Sequence, residues 1–178
     1  REDATALIAF WREAGPGRWF KKDEAFDRSF RERFLGLHEA ASRGELAHWQ
    51  DSAQGALALL LLLDQFPRNA FRGTPRVYAT DPAARAVADA AIARGYDRAV
   101  EPALQSFFYL PYEHSELPAD QERSVMLYQR LGGSHLEWAE RHRDIVRRFA
   151  RFPHRNAILG RPMTAEEQRF LDEGGFSG

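Results

Sequence analysis

The chain has 178 residues, of which 25 are basic and 26 acidic, so its formal net charge is −1. This length suffices for one domain with a buried core, and the balanced charge argues against nucleic acid as a partner. The absence of cysteine excludes disulfides, thiolate metal sites and cysteine nucleophiles, and it fits a reducing compartment. No apolar run approaches the roughly 18 residues of a membrane span, and no signal-peptide pattern is present. We therefore expect a soluble, cytoplasmic protein that has no membrane partner.

The first half of the chain has the apolar spacing of amphipathic helices. A helix over Asp3–Ala14 is predicted to stop at Gly15-Pro16-Gly17. Asp23 is the predicted cap of a longer helix, which ends near Gly44 and carries a single apolar stripe. That stripe consists of Phe26, Phe30, Phe34, Leu37 and Ala41.

The most apolar stretch is Ala56–Leu63, in which no polar residue interrupts eight apolar ones. A helix that is apolar all round has to be enclosed by protein, so this stretch predicts the central helix of the core. Asp51 and Gln54 resemble a capping box at its start, and Pro67 predicts that the helix stops before it. Asp64 puts a charge at the end of this buried element, where it needs a partner or a function.

The second half of the chain predicts five more helices. Their starts are marked by capping residues or by proline in the first turn: Asp81-Pro82, Pro102, Pro118, Ser134 with Glu137, and Thr164 with Glu167. No stretch alternates with period two over enough residues to form a strand. The sequence therefore predicts one all-α domain over residues 1–178, an antiparallel array of about eight helices without a sheet.

Three of these helices are predicted to end in an apolar residue followed by proline, at Phe66-Pro67, Leu110-Pro111 and Phe152-Pro153. They are alternate helices of the series, and antiparallel packing places alternate ends on the same side. The loops that leave this side are long, and long ordered loops are where binding sites usually lie. The sequence therefore predicts a site where the three ends meet.

Motifs at these loops resemble a known family. They are Asp64-Gln65-Phe66-Pro67-Arg68-Asn69, Leu110–Glu116, Asp120-Gln121-Glu122 and Arg151–Arg161. Together with Phe10-Trp11, Trp19-Phe20 and Phe26-Asp27, they resemble the mainly bacterial domain-of-unknown-function 924 (DUF924) family, and the likeness continues to about Leu171. The resemblance implies a tetratricopeptide-like helical array and no established activity. Arg12, Leu117 and Ala150 depart from the family pattern, and Leu117 removes one carboxylate from the candidate site.

The same motifs supply the candidate ligand-binding residues. Two arginines, each followed by asparagine, offer planar sets of donors that suit a phosphate or a carboxylate. The alternative is structural, with ion pairs to neighbouring acids or hydrogen bonds to helix C-terminal carbonyls. The candidates are Asp64, Gln65, Arg68, Asn69, Glu113, His114, Ser115, Glu116, Asp120, His154, Arg155 and Asn156.

Catalysis is left open by the sequence. A histidine beside carboxylates suits acid–base chemistry, so His114 and Glu113 are the catalytic candidates if a reaction takes place. No two histidines lie four residues apart, and the single Glu-x-x-His is too few for a di-iron bundle. We expect no cofactor and no metal, although three oxygen ligands for an ion such as Mg²⁺ exist in Glu113, Glu116 and Asp120.

Several functions are compatible with these patterns. The preferred hypothesis is a polar pocket for a small anionic ligand that bears a phosphate or a carboxylate. The alternatives are a tetratricopeptide-like scaffold that binds a peptide or a partner helix, and a metal-assisted hydrolase. A purely structural role of the motifs is the fourth possibility, and the sequence does not predict the oligomeric state.

Overall fold

Every regular element within residues 2–178, the range that the computed structural model describes, is helical, and no strand occurs there. The all-α prediction is therefore confirmed. None of the helices in this range is long and apolar enough to cross a membrane. Two compact units divide the chain: the first extends to Arg72 and includes Arg76–Pro111, and the second comprises Gly73–Pro75 and Tyr112–Gly178. The prediction of a single domain over residues 1–178 stays a prediction.

The first unit is built from helices of very different lengths. Its α-helices are α1 (Ala4–Ala14), α2 (Pro16–Trp19), α3 (Glu24–Ser42), α4 (Ala53–Leu60), α5 (Phe66–Ala70), α6 (Arg76–Ala79), α7 (Asp81–Ala93) and α8 (Pro102–Gln105). Short 3₁₀ helices cover Ala47–Asp51, Tyr96–Ala99 and Ser106–Phe108, and a π-helical segment covers Leu61–Gln65. The next helix, α9 (Leu110–Glu113), contains the boundary between the units.

Capping side chains define where three of these helices begin. The Asp3 and Asp23 carboxylates accept the N–H groups of Ala6 and Phe26, at 2.8 and 3.0 Å, and so cap α1 and α3. The capping box predicted at Asp51 is wrong by one residue. Ser52 has the extended backbone of a cap, and its hydroxyl accepts the N–H of Gly55 at 3.0 Å.

Aromatic rings from several elements form the core of the first unit. Trp11, Phe30, Phe66 and Phe107 are each at most 1% exposed. The Trp11 ring lies 5.4 Å from the Phe30 and Phe107 rings, and the Phe30 ring meets the Phe66 ring edge-on at 5.0 Å. Burial of each such side chain stabilises the fold by about 1.5–3 kcal/mol, so the N-terminal helices are fixed chiefly by these contacts.

The helix that starts at Ala53 is the most buried element, and its central position is confirmed. Each residue of Ala56–Leu63 is at most 3% exposed. The predicted stop before Pro67 is wrong, because the chain stays helical through Leu61–Gln65 and then through α5. The N–H of Phe66 bonds to the carbonyl of Leu61, five residues back, and this π turn widens the helix where the proline ring would collide with the preceding turn.

The π turn and Pro67 deprive two buried carbonyls of their usual helical donors. In a regular α-helix the N–H of Phe66 would bond to the carbonyl of Leu62, but here it bonds to that of Leu61. The carbonyl of Leu63 would accept from the N–H of residue 67, which is a proline and has none. Side chains replace both donors. His38 Nδ1 donates to the Leu62 carbonyl at 2.8 Å, and the Thr80 hydroxyl donates to the Leu63 carbonyl at 2.6 Å.

The next carbonyl along this helix is also bound by a side chain. Arg68 Nη1 donates to the carbonyl of Asp64 at 2.9 Å. Three successive carbonyls of the buried helix are thus bound by three polar side chains that lie far apart in the chain. An unpaired buried carbonyl is costly, so these three side chains are required by the helix itself.

The second unit consists of four helices that follow α9 and a small apolar core. They are α10 (Pro118–Leu131), α11 (His135–Phe149), α12 (Arg155–Leu159) and α13 (Ala165–Asp172). Only Gly132–Ser134 separates α10 from α11, so the two helices form an antiparallel hairpin. Ile145, Val146 and Phe152 are buried, and three half-buried phenylalanines pack against them: Phe149, Phe170 and Phe176.

The prediction that three helices end in an apolar residue and proline is wrong for two of them. Pro67 lies inside α5 and Pro111 lies inside α9, in the first turn of each element. Phe152-Pro153 does follow a helix, α11, which ends at Phe149. The predicted meeting of the three segments involves both units and stays a prediction.

Replacing Thr80 with valine tests the role of the side chains that bind the buried carbonyls. Thr80→Val keeps the side-chain volume but removes the donor to the Leu63 carbonyl, so we expect unfolding free energy to fall by about 1–3 kcal/mol. Urea denaturation followed by circular dichroism measures this change. The exposed Thr5 provides the control, and Thr5→Val should change stability by less than about 0.5 kcal/mol. Equal effects of the two substitutions would contradict the explanation.

Candidate functional site

The candidate residues are divided between the two units. Asp64, Gln65, Arg68 and Asn69 belong to the first unit, and the other eight belong to the second. Each group is described within its own unit. In both, most of the polar side chains are buried or half-buried.

Arg68 is the centre of a buried ion-pair cluster in the first unit. Its Nη1 and Nη2 donate to the two carboxylate oxygens of Asp81 at 2.8 and 2.9 Å, and Nη1 also lies 3.3 Å from Asp64 Oδ1. The side chains of Asp64 and Asp81 are 2% and 6% exposed. Burial alone would lower the pKa of Arg68, but the charges of the two aspartates outweigh it and raise the pKa. The sequence indicated only a capping role for Asp81.

Gln65 and Asn69 are buried beside this cluster. Gln65 is the last residue of the π-helical segment. Asn69 Nδ2 donates to Asp27 Oδ1 at 2.9 Å, and the other oxygen of Asp27 accepts from Arg72 Nε at 2.8 Å. Asn69 therefore joins α5 to α3, and Asp27 is a partner that the sequence did not indicate.

In the second unit, the segment between α9 and α10 is held by the buried side chain of Gln121. Its Nε2 lies 2.8 Å from the carbonyl oxygen of Glu113 and 2.6 Å from that of Ser115. The Ser115 hydroxyl donates to Asp120 Oδ2 at 2.6 Å and accepts the N–H of Leu117 at 3.1 Å. Ser115 therefore stabilises the turn that leads into α10, as a capping serine would.

Glu116 links this segment to the residues on both sides of α12. Its carboxylate accepts two hydrogen bonds from Arg161, at 2.8 and 3.0 Å, and one from the N–H of Phe152 at 2.7 Å. Burial would raise the pKa of Glu116, but these hydrogen bonds, with the charges of Arg155 and Arg161, lower it. Glu116 is thus an ionised carboxylate that fixes the two segments to each other.

Arg155 and Asn156 begin α12 and are both buried. Arg155 is 7% exposed. Its Nη2 donates to the carbonyl of His114 at 2.6 Å, and its guanidinium lies over the Phe152 ring, 4.7 Å from the centroid. Asn156 Oδ1 accepts from Arg161 Nε at 2.9 Å. The structure therefore brings the motifs around residues 113–116 and 151–161 together within the second unit.

A second ionisable pair lies in the interior of this unit. His142 Nε2 and Glu113 Oε2 are 4.0 Å apart, and each side chain is 8% exposed. His142 Nδ1 lies 2.8 Å from the carbonyl of Trp138, which can only accept, so Nδ1 carries the proton. The sequence indicated that α11 runs towards the candidate site, but it did not indicate that His142 faces Glu113.

Arg151 forms a further ion pair with a residue that the sequence had assigned only to a helix cap. Its Nε and Nη2 each donate to a different carboxylate oxygen of Glu167 at 2.7 Å. Glu167 also completes the predicted capping box with Thr164, which is confirmed. The hydrogen bonds from Arg151, followed by those from Thr164 and Asn156, lower the pKa of Glu167 to about 2 despite burial.

The geometry gives little support to a metal centre. Among residues 2–178, no group of three or more His, Asp or Glu side chains is arranged to hold a metal ion. Of the three acids that offered oxygen ligands, Glu116 binds Arg161 and Asp120 accepts from Ser115. Their carboxylates are thus used by the protein's own donors.

Comparison with known proteins identifies the family of this helical protein. The model of the family described as bacterial protein of unknown function (DUF924) matches residues 7–175. The chain belongs to the DUF924 family. It is similar to the solved structure of the protein of unknown function ATU0120 from Agrobacterium tumefaciens, with 57% identity over 96% of this chain and 97% of that chain and a TM-score of 0.94. No curated protein matches the chain.

Replacing Arg68 with alanine tests the buried cluster of the first unit. We expect Arg68→Ala to lower the free energy of unfolding by about 3–5 kcal/mol, because it leaves two buried carboxylates without this cation. Arg72→Ala is the matched control, since Arg72 is 38% exposed and also pairs with an aspartate. Its expected effect is about 0–1 kcal/mol. Chemical denaturation measures both, and a small loss for Arg68→Ala would contradict a structural role.

Replacing Glu167 with glutamine tests the ion pair with Arg151 through its pH dependence. The folded-state pKa of about 2 lies below the ordinary value of 4.5, so the pair stabilises the fold above pH 4.5. This stabilisation is lost as the pH falls from 4.5 towards 2, where the carboxylate becomes protonated. The stabilities of wild type and Glu167→Gln should therefore differ at pH 6 and converge near pH 2.

The neighbouring residue provides a control for this measurement. Glu166 forms an exposed ion pair with Arg148, so Glu166→Gln should change stability by less than about 1 kcal/mol at every pH. Thermal denaturation between pH 2 and 7 follows all three proteins. A difference between wild type and Glu167→Gln that does not vary with pH would show that the carboxylate charge is not what stabilises this contact.

Proposed function

We propose that the second unit binds a small anionic ligand, one that carries a phosphate or a carboxylate, at His114, His154, Arg155 and Asn156. The observation that carries the proposal is the hydrogen bond from the buried Arg155 guanidinium to the His114 carbonyl. It joins two segments that are about forty residues apart in the chain. These segments carry the Arg155 cation and two half-buried histidines, His114 and His154.

The chemistry of these side chains supports an anion as the ligand. A guanidinium offers five N–H donors in one plane, which match the oxygens of a phosphate or a carboxylate. An imidazole adds a donor, and a positive charge when it is protonated. His114 and His154 are both partly accessible, whereas Arg155 is buried, so a ligand would meet the imidazoles first.

The rigidity of the surroundings supports a preformed site. Glu116 is bound by Arg161 and by the N–H of Phe152, and Gln121 binds the carbonyls of the segment that carries His114. These contacts fix both segments before a ligand arrives, which reduces the entropy lost on binding. Glu113, Ser115, Glu116 and Asp120 would then support the site.

Proton transfer would be an addition to this binding function. Glu113 is adjacent to His114 in the chain and lies 4.0 Å from His142. If the bound ligand is converted, we expect His114 or Glu113 to act as the acid or base, and Arg155 to stabilise negative charge. For Asp64, Gln65, Arg68 and Asn69, the contacts within the first unit favour the structural role. We also infer a cytoplasmic location, which the absence of cysteine supports.

A tetratricopeptide-like scaffold for a peptide or partner helix is the second candidate. The observation that favours it is the exposure of apolar side chains on the α10–α11 hairpin. Trp138 is 52% exposed and Met126 is 43% exposed. This function would depend on Trp138 and not on His114, which separates it from binding of a small anion.

Thermal-shift measurements with a set of phosphates and carboxylates test the first proposal. A ligand at 100 times its Kd stabilises a protein by about 2.7 kcal/mol, so at least one compound should raise the Tm of wild type. We expect this rise to disappear in Arg155→Ala and in His114→Ala. His114→Ala keeps the backbone carbonyl that Arg155 binds, so it separates loss of binding from loss of structure.

The matched control is His135→Ala, because His135 is a half-buried histidine of the same unit outside the two joined segments. This variant should keep the full rise in Tm. If wild type, Arg155→Ala and His114→Ala have indistinguishable responses to every compound, the proposed site is wrong. A response that is lost in Trp138→Ala and kept in His114→Ala would favour the scaffold.

A further inference from the structure

A cavity in the first unit is lined by none of the candidate ligand-binding residues that the sequence motifs indicated. It has a volume of about 450 Å³ and opens to solvent between α1 and the start of α4. One wall is one face of α1, with Ile8 and Arg12, and the other comes from the Ala47–Asp51 3₁₀ helix and the first turn of α4. This volume is within the range of small-molecule sites.

The lining of the cavity combines basic, amide and aromatic side chains. Arg12, His48 and Gln54 contribute nitrogen donors, and Trp49 contributes a half-buried ring. None of the lining residues in the part of the chain that the structure describes is acidic. Ile8, which is 3% exposed, adds an apolar surface opposite the polar groups. A ligand complementary to this lining has a flat apolar part that packs on the apolar side chains and a negatively charged end with several hydrogen-bond acceptors.

Arg12 is held in a defined orientation at this cavity. Its Nε lies 3.0 Å from Glu101 Oε1, and its Nη2 lies 2.5 Å from the same oxygen. Glu101 does not line the cavity, and its charge offsets part of the charge of Arg12. Arg12 therefore offers a ligand directed hydrogen bonds rather than a strong electrostatic attraction. The remaining contacts have to come from His48 and Trp49.

Trp49 is fixed just as firmly, through its backbone. A Cβ atom at Gly55 would lie 2.0 Å from the carbonyl oxygen of Trp49, so only glycine allows the 3₁₀ helix to pack this closely on α4. The Trp49 wall is therefore set by the packing of two helical elements. A backbone position that is fixed before binding lowers the entropic cost of presenting the indole to a planar ligand.

We infer that this cavity binds a small ligand in which a planar ring carries a phosphate or a carboxylate. The oxyanion would accept hydrogen bonds from Arg12 and His48, and the ring would stack on Trp49. This site is separate from the one proposed for the second unit, because its residues all belong to the first unit.

Tryptophan fluorescence tests the site with phenyl phosphate, benzoate and inorganic phosphate as probes. Trp138→Phe removes the exposed tryptophan and leaves Trp49 as the accessible reporter, because Trp11 and Trp19 are 0% and 6% exposed. In this background we expect saturable quenching by phenyl phosphate, or by benzoate, with a Kd below about 1 mM. Inorganic phosphate should bind at least about tenfold more weakly, because it has no ring to stack on Trp49.

Substitutions in the same background assign the contacts. Arg12→Gln and His48→Gln should each raise the Kd by about tenfold. Arg43→Gln is the matched control, because Arg43 is likewise an exposed arginine of the first unit that pairs with a glutamate. It should leave the Kd unchanged. His48 is exposed, so His48→Gln is not expected to affect folding, which circular dichroism checks.

Three results would overturn the inference. The first is quenching that rises linearly with both aromatic probes without saturation, which indicates collisions with tryptophan and no site. The second is an equal change in Kd for Arg12→Gln, His48→Gln and Arg43→Gln, which places binding elsewhere. Equal affinity for phenyl phosphate and inorganic phosphate would refute the role of Trp49.

Discussion

The first unit depends on the hydrogen bonding of three successive carbonyls in its buried helix. A π turn and a proline remove the usual backbone donors of residues 62 and 63, and His38 and Thr80 replace them, while the Arg68 side chain binds the carbonyl of residue 64. Each replacement brings a polar side chain into an apolar core, and Arg68 brings a charge as well. Asp64 and Asp81 follow from that charge, because a buried guanidinium needs carboxylates close by. The polar motif around residue 64 is thus a consequence of how the helix is built.

The sequence predicts much of this helix but not its irregular end. Eight consecutive apolar residues indicate burial from every side, and that part of the prediction is confirmed. The sequence of such a run does not reveal the π turn. The extra residue in the turn rotates the side chains that follow it, but because they are all apolar, the pattern of apolar and polar residues stays the same. Pro67 normally marks a helix end, and here the π turn makes room for it. His38 and Thr80 come from other elements, so local sequence patterns contain no signal for their contacts.

The candidate site illustrates a similar limit. The motifs include residues around 113–116 and residues around 151–161, and Glu116 and Arg155 form hydrogen bonds between these two segments. The pairing of individual charges is not predictable from the motifs. Arg151 binds Glu167, Arg161 binds Glu116, and Arg155 binds a carbonyl, although all three arginines come from one short stretch. Which acid an arginine reaches depends on the turn in which it lies, and local spacing does not fix that.

The two arginine–asparagine motifs differ most where they look most alike. Arg68 is the third residue of α5, which continues from the preceding helix, whereas Arg155 is the first residue of α12, which follows a turn. In α5 the arginine can reach back to a carbonyl of the preceding turn and to carboxylates beside it. At the start of α12 no preceding helical turn exists, so Arg155 extends to another segment of the chain. The first arginine thus completes its own helix, and the second connects two segments of the second unit.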